Sequence, residues 1–185
     1  DNVAYQWFAP AGTRRGLVDN ATSIGYINSA TGEFEFNSIR VGLRDTLYEN
    51  KINPITNLPG VGLVVWGQKT RNPTTSSLDR INVARLVNYI RTILARVGDG
   101  FLFEPNDKIT RDQISNIISG AINDLVAKRG VYDYLVVCDD SNNTPTRIAR
   151  NELYVDIAIE PMKAVEFIYI PIRLKNPGDI AAGNL

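Results

Sequence analysis

Val83, Leu86, Val87, Ile90, Ile93, Leu94 and Val97 recur at the spacing of one face of an α-helix. A helix with a stripe this long must bury it against a second layer, and that requirement constrains the fold more than any other feature of the chain. Ser76 or Ser77 is the expected cap, and Gly98 and Gly100 stop the helix. A second helix follows. Thr110-Arg111-Asp112-Gln113 has the form of a capping box, and Ile114, Ile117, Ile118, Ala121, Ile122 and Leu125 share one face. Lys128 and Arg129 complement the C-terminal end of the dipole, and Gly130 is the expected left-handed residue past it.

The remaining chain reads mainly as strands. Tyr5, Trp7 and Phe8 suit a short strand within residues 2–16, broken by Pro10, Gly12 and Gly16. Ile24–Asn28 and Glu33–Phe36 flank Ser29-Ala30-Thr31-Gly32 as a hairpin. Asn37 or Ser38 opens a short helix to about Asn50, with Ile39, Leu43 and Leu47 on one side. Pro54 and Pro59 mark a loop, and Val61–Trp66 reads as a strand covered on both faces. Phe101–Phe103 and Tyr132–Cys138 read as strands. Leu153, Val155, Ile157 and Ile159 alternate with polar or small residues, as in a strand with one buried face. A last strand runs from Val165 to about Leu174, and residues 175–185 read as a flexible tail. The expectation is one α+β domain over residues 1–185: a mixed sheet with two main helices on one side. Because the chain begins at Asp1, it is expected to be a fragment of a longer protein.

Composition narrows the functional classes. Lys and Arg total 20 and so do Asp and Glu, which argues against a dedicated nucleic-acid binder and removes the self-repulsion that opposes association. No apolar run is long enough for a membrane helix. There is no histidine, hence neither the commonest general base nor the commonest transition-metal ligand. The one cysteine, Cys138, excludes an internal disulfide and reads as a packed thiol.

Candidate sites each have a plainer reading. Gly60-Val61-Gly62 lacks the third glycine of a dinucleotide fingerprint and precedes its strand, so it reads as a loop. Asp139-Asp140-Ser141-Asn142-Asn143 resembles the start of a calcium loop, but Thr144 and Arg150 stand where the glycine and the bidentate glutamate belong; Asx turns explain it better. Asn20-Ala21-Thr22 and Asn142-Asn143-Thr144 match the glycosylation pattern without a secretion signal. Asp139, Asp140 and Asp156 are the candidates if the chain were a carboxylate-dependent enzyme, although their loop and surface-strand positions argue against it. Arg80, Arg85, Arg91 and Arg96 lie opposite the apolar stripe. They form either an ordinary solvated face or a basic ridge for a protein partner, and both readings stay open on the sequence alone.

Six short pieces, in order, resemble the contractile tail sheath proteins of bacteriophages. They are Trp7-Phe8-Ala9-Pro10-Ala11-Gly12 with Arg15-Gly16; Lys51-Ile52-Asn53-Pro54-Ile55; Val65-Trp66-Gly67-Gln68-Lys69-Thr70; Phe103-Glu104-Pro105-Asn106-Asp107; Cys138-Asp139 with Asn143-Thr144-Pro145; and Ala164-Val165-Glu166-Phe167-Ile168. Lys51 and Lys69 depart from the family's usual glycine and arginine. The resemblance implies the C-terminal, tube-proximal domain of a sheath subunit in a phage virion or a related injection device. It implies no enzymatic activity and no cofactor. The implied partners are further copies of the chain, the tail tube protein, and baseplate and tail terminator proteins, with no nucleic acid and no membrane insertion. Assembly would take place in the host cytoplasm. It also implies that extended arms complete a sheet in a neighbouring subunit. The arm falls on Glu166, Phe167, Ile168, Ile170, Ile172 and Leu174, and Arg80, Arg85, Arg91 and Arg96 become candidates for contact with the tube or a neighbour.

Overall fold

The computed structural model describes residues 4–36 and 41–171. Its elements, in order, are β1 (Gly25–Ile27), β2 (Phe34–Phe36), α1 (Val41–Glu49), β3 (Ile55–Leu58), β4 (Gly62–Val65), α2 (Ile81–Asp99), α3 (Lys108–Ala127), β5 (Val131–Val137), α4 (Pro145–Ile148) and β6 (Asp156–Pro161). The fold is α+β as the pattern requires. Among the described residues, however, the strands form three separate antiparallel pairs rather than one mixed sheet: β1 with β2, β3 with β4, and β5 with β6. Short turns join β1 to β2 and β3 to β4, whereas residues 138–155, with α4 among them, connect β5 to β6.

The core lies between the long helices and β5–β6. Leu86 and Ile90 of α2 meet Ile114, Ile118, Ile122 and Leu125 of α3, together with Val131 and Trp7. Tyr134 and Val136 of β5 and Ile157 and Ile159 of β6 pack against this cluster from the sheet side. Ile117, expected on the buried face, is half open to solvent at the helix edge.

Local chemistry explains where the elements differ from the sequence reading. Residues 4–16 form turns, not a strand. Trp7 turns inward, its Nε1 donating to the Lys128 carbonyl at 3.0 Å, and Tyr5 stacks on it with ring centroids 4.9 Å apart. The Pro54–Pro59 loop contains β3, whose register Ile55↔Val65 to Leu58↔Gly62 makes a hairpin with β4. The prolines flank that strand instead of interrupting it, as edge positions allow. In β4, Leu63 and Val64 are buried, while Val61 and Trp66 on either side are exposed.

Ser76 caps a 3-10 turn, Ser77–Asp79, and α2 starts only after Arg80. Phe101–Phe103 is a turn, because Gly98, Gly100 and Pro105 leave too few residues to pair; Phe103 is fully exposed at φ 72°. The cap of α3 is Asp107, whose side chain accepts from the Thr110 amide at 2.9 Å, so the anticipated cap Thr110 lies inside the first turn. At the other end, Arg129 takes the left-handed conformation (φ 59°), with its amide bonded to the Val126 carbonyl and that of Gly130 to Leu125. Gly130 is small for a different reason. A Cβ there would come within 2.9 Å of the Trp7 ring. The expected caps of α1, Asn37 and Ser38, and Ile39 on its face lie outside the described residues, as do residues 175–185.

Candidate functional site

After β6 the chain leaves the sheet and crosses the N-terminal end of α2. Met162 is held twice: its amide donates to the Gly130 carbonyl at 3.0 Å, and its carbonyl accepts from Asn82 Nδ2 at 3.2 Å. Glu166 is held more tightly. Its Oε1 accepts from Arg80 Nε at 2.6 Å and Gln68 Nε2 at 3.0 Å, and its Oε2 from the Tyr48 hydroxyl at 2.8 Å and Arg80 Nη2 at 3.2 Å. Both carboxylate oxygens are therefore engaged, by donors from α1, from the segment after β4 and from the residue that precedes α2. Arg80 also pairs with Asp79 at 3.0 Å, and Lys69 Nζ lies 4.1 Å from the centre of the Tyr48 ring.

The electrostatics follow from this enclosure. Burial works to raise the Glu166 carboxyl, but the hydrogen bonds from Arg80, Tyr48 and Gln68 outweigh it, so Glu166 titrates below the usual carboxylate range. Burial pushes the Tyr48 hydroxyl well up, and the Glu166 carboxylate beside it pushes in the same direction. Tyr48 therefore stays a donor and Glu166 an acceptor. Burial tends to lower the Arg80 guanidinium, and the Glu166 carboxylate more than offsets it.

Beyond Glu166 the side chains are mostly exposed. Phe167 is 68% exposed, Ile168 76%, Tyr169 87% and Ile170 77%. None of the described residues from 163 to 171 belongs to a strand. The expected terminal strand is thus an exposed apolar segment, and among the described residues no strand pairs with it. Glu166, assigned to that segment, instead faces its own domain. Ile172 and Leu174 lie outside the described residues.

The arginines do not form one ridge. Arg80 turns toward Glu166, and Arg85 is half-buried with an interaction of its own. Arg91 and Arg96 are exposed on the solvent side of α2. A helix read from Ser76 or Ser77 puts Arg80 on the same face as the others, but residues 77–79 form a 3-10 turn and Arg80 is the extended residue before α2. The sequence assigns no role to Tyr48, and Gln68 stands in it only as part of a family-like piece. The available signal was Glu166 itself, a lone charge in an apolar run.

The acidic loop after β5 has a structural task. Asp139 Oδ1 accepts from the Ser141 amide at 2.8 Å as an Asx turn, and Asn143, 1% exposed, both donates to the Tyr154 carbonyl and accepts from its amide. Asn142 is buried and bonded to Val137 and Asp156. Asp140 pairs with the buried Arg111 at 2.8 Å. Cys138 is buried, and desolvation raises its thiol. Gly60 and Gly62 form the β3–β4 turn at positive φ.

These features belong to a known class of assembly proteins. Residues 74–175 match the family model for the phage tail sheath C-terminal domain, and the chain belongs to that family. It is 36% identical over 168 residues to the tail sheath protein of Enterobacteria phage T4 and 34% identical over 168 residues to that of Vibrio phage KVP40, in each case across 91% of the chain. The chain spans about a quarter of the length of these relatives, 24% and 23%. Among solved structures, the fold matches the anti-feeding prophage baseplate (TM-score 0.76, 20% identity, 92% of this chain and 45% of that one). It also matches the contracted sheath complex of an extracellular contractile injection system (TM-score 0.73, 21% identity, 91% of this chain and 46% of that one).

Proposed function

We propose that this domain is the tube-proximal part of a contractile tail sheath subunit. Copies polymerise as stacked rings around the tail tube, and their contraction drives the tube through the host envelope. The observation that carries the reading is the apolar segment Phe167–Ile170, which its own domain leaves in water. An exposed apolar segment able to extend is a template for pairing with another chain. Pro171 lacks an amide donor and suits a strand paired on one edge. Family membership supports the rest: a structural role in the virion, assembly in the host cytoplasm, and the tube, baseplate and tail terminator proteins as partners. No catalytic role is proposed. The same fold in injection-system sheaths supports a device of that kind as the second reading.

Arg91 and Arg96, exposed on α2, are the residues we assign to contact with the tube or a neighbouring subunit. The test of the whole reading is truncation of the parent protein after Lys163, followed by electron microscopy. The expected result is a folded protein that no longer builds sheaths. Normal contractile sheaths from the truncated protein would remove the segment's linking role.

A further inference from the structure

The stretch from Met162 to Glu166 is pinned at its two ends and almost nowhere between. Two clefts, of about 520 Å³ and 230 Å³, flank it, and Ala164 to Phe167 form a wall of both. Lys163, Ala164 and Val165 are exposed, so side-chain packing does not fix this stretch. Its position depends on the bonds of Met162 to Gly130 and Asn82 and on the four bonds to the Glu166 carboxylate.

We infer that Glu166 is the anchor fixing the exchanged segment to its own domain, and that the movable part of that segment begins at Phe167. The inference rests on the reading that the C-terminal segment joins copies of the chain. A carboxylate held by donors from three separate parts of the fold is fixed in both position and direction. The bidentate guanidinium adds a planar constraint that a lysine would not supply. The segment therefore leaves every copy at the same point and in the same direction, as a repeating lattice demands. Tension on the segment passes through Glu166 to Arg80, which immediately precedes α2, and thence to the helix whose buried face is the core. Past Glu166 the side chains from Ile168 to Ile170 are at least three-quarters exposed and little packing opposes reorientation, so a neighbour's displacement is absorbed there rather than within the domain.

The test compares the full-length parent protein with its Glu166→Ala, Glu166→Gln and Tyr48→Phe variants. Hydrogen exchange reads the Met162 amide, which donates to the Gly130 carbonyl, and electron microscopy reads sheath assembly and integrity after contraction. Glu166→Ala is expected to speed exchange of this amide at least tenfold and to give few sheaths, or sheaths that separate between rings on contraction. Glu166→Gln and Tyr48→Phe, which keep most of the shape, are expected to fold and to show smaller changes in the same direction. They carry the test if the alanine variant does not fold. Exchanging the charges (Arg80→Glu with Glu166→Arg) is expected to restore part of the assembly lost in either single change, an outcome that a mere loss of stability does not produce. Sheaths of normal length that contract intact in Glu166→Ala, or in both milder variants, would overturn the anchor. If truncation after Lys163 abolishes assembly while these variants assemble normally, only the anchor fails. If the truncated protein itself assembles, the reading beneath it fails.

Discussion

Ile90 and Ile168 are the same side chain in one molecule, yet one is 4% exposed and the other 76%. Ile90 belongs to a helix stripe that meets α3, and its burial stabilises the domain. Ile168 belongs to a segment of similar apolar character that the described residues of its own chain leave mostly uncovered. Fully burying an isoleucine is worth about 1.5–3 kcal/mol. For Ile168 that contribution remains unrealised until another surface covers it. The core thus holds the domain together, while the apolar side chains after Glu166 add little to it.

The largest effect should come from the core. Leu86→Ala or Ile122→Ala is expected to destabilise the protein by about 2–5 kcal/mol in denaturant titration, because both sites are closed on all sides. A loss below about 1 kcal/mol would mean that the helix–sheet interface is looser than its burial indicates. Gly130→Ala should follow, at about 1–3 kcal/mol, since the new methyl meets the Trp7 ring. An unchanged denaturation midpoint would show that the indole can move aside.

At the boundary between the two regions, Glu166→Ala is expected to cost about 1–3 kcal/mol near neutral pH, the range for a hydrogen-bonded charge that loses its contacts. The sign of the pH dependence is determined by the depressed Glu166 carboxyl. Its contribution is fully present above the unfolded carboxylate range and is lost as pH falls through the folded value. The stability difference between the parent and Glu166→Gln should therefore shrink on acidification, read from denaturation midpoints across pH. A difference that stays constant to low pH would place the effect in shape rather than charge. The smallest effect should be at Ile168→Ala, within about 0.5 kcal/mol for the unassembled protein. A loss above 1 kcal/mol there would break the comparison, by showing that the segment packs on its own domain.

The elements legible in the sequence are those whose signal is local. The stripe from Val83 to Val97, the isoleucines of α3 and the alternation from Leu153 to Ile159 follow from helix and strand periodicity, which needs no knowledge of neighbours. Capping was less legible. Asp107 and Thr110 are both good caps three residues apart, and the choice fell to Asp107. The β3 strand was hidden because Pro54 and Pro59 signal a loop whether they interrupt a strand or flank it. Trp7 has the same apolar signature in a strand or in a turn folded onto a helix end, and only its bond to Lys128, 121 residues away, decides between them.

The sequence by itself determined the two amphipathic helices, the strand character of β5 and β6, the assignment to a sheath family through ordered short pieces, and the presence of an apolar segment from Val165 onward. Only the tertiary structure decided which side of Glu166 belongs to the domain. The Glu166 carboxylate meets Tyr48, Gln68 and Arg80 across 118, 98 and 86 residues. Periodicity reports which face of an element avoids water. It carries no information on which distant donor that face will meet, because that depends on how the elements stack once their apolar faces are satisfied.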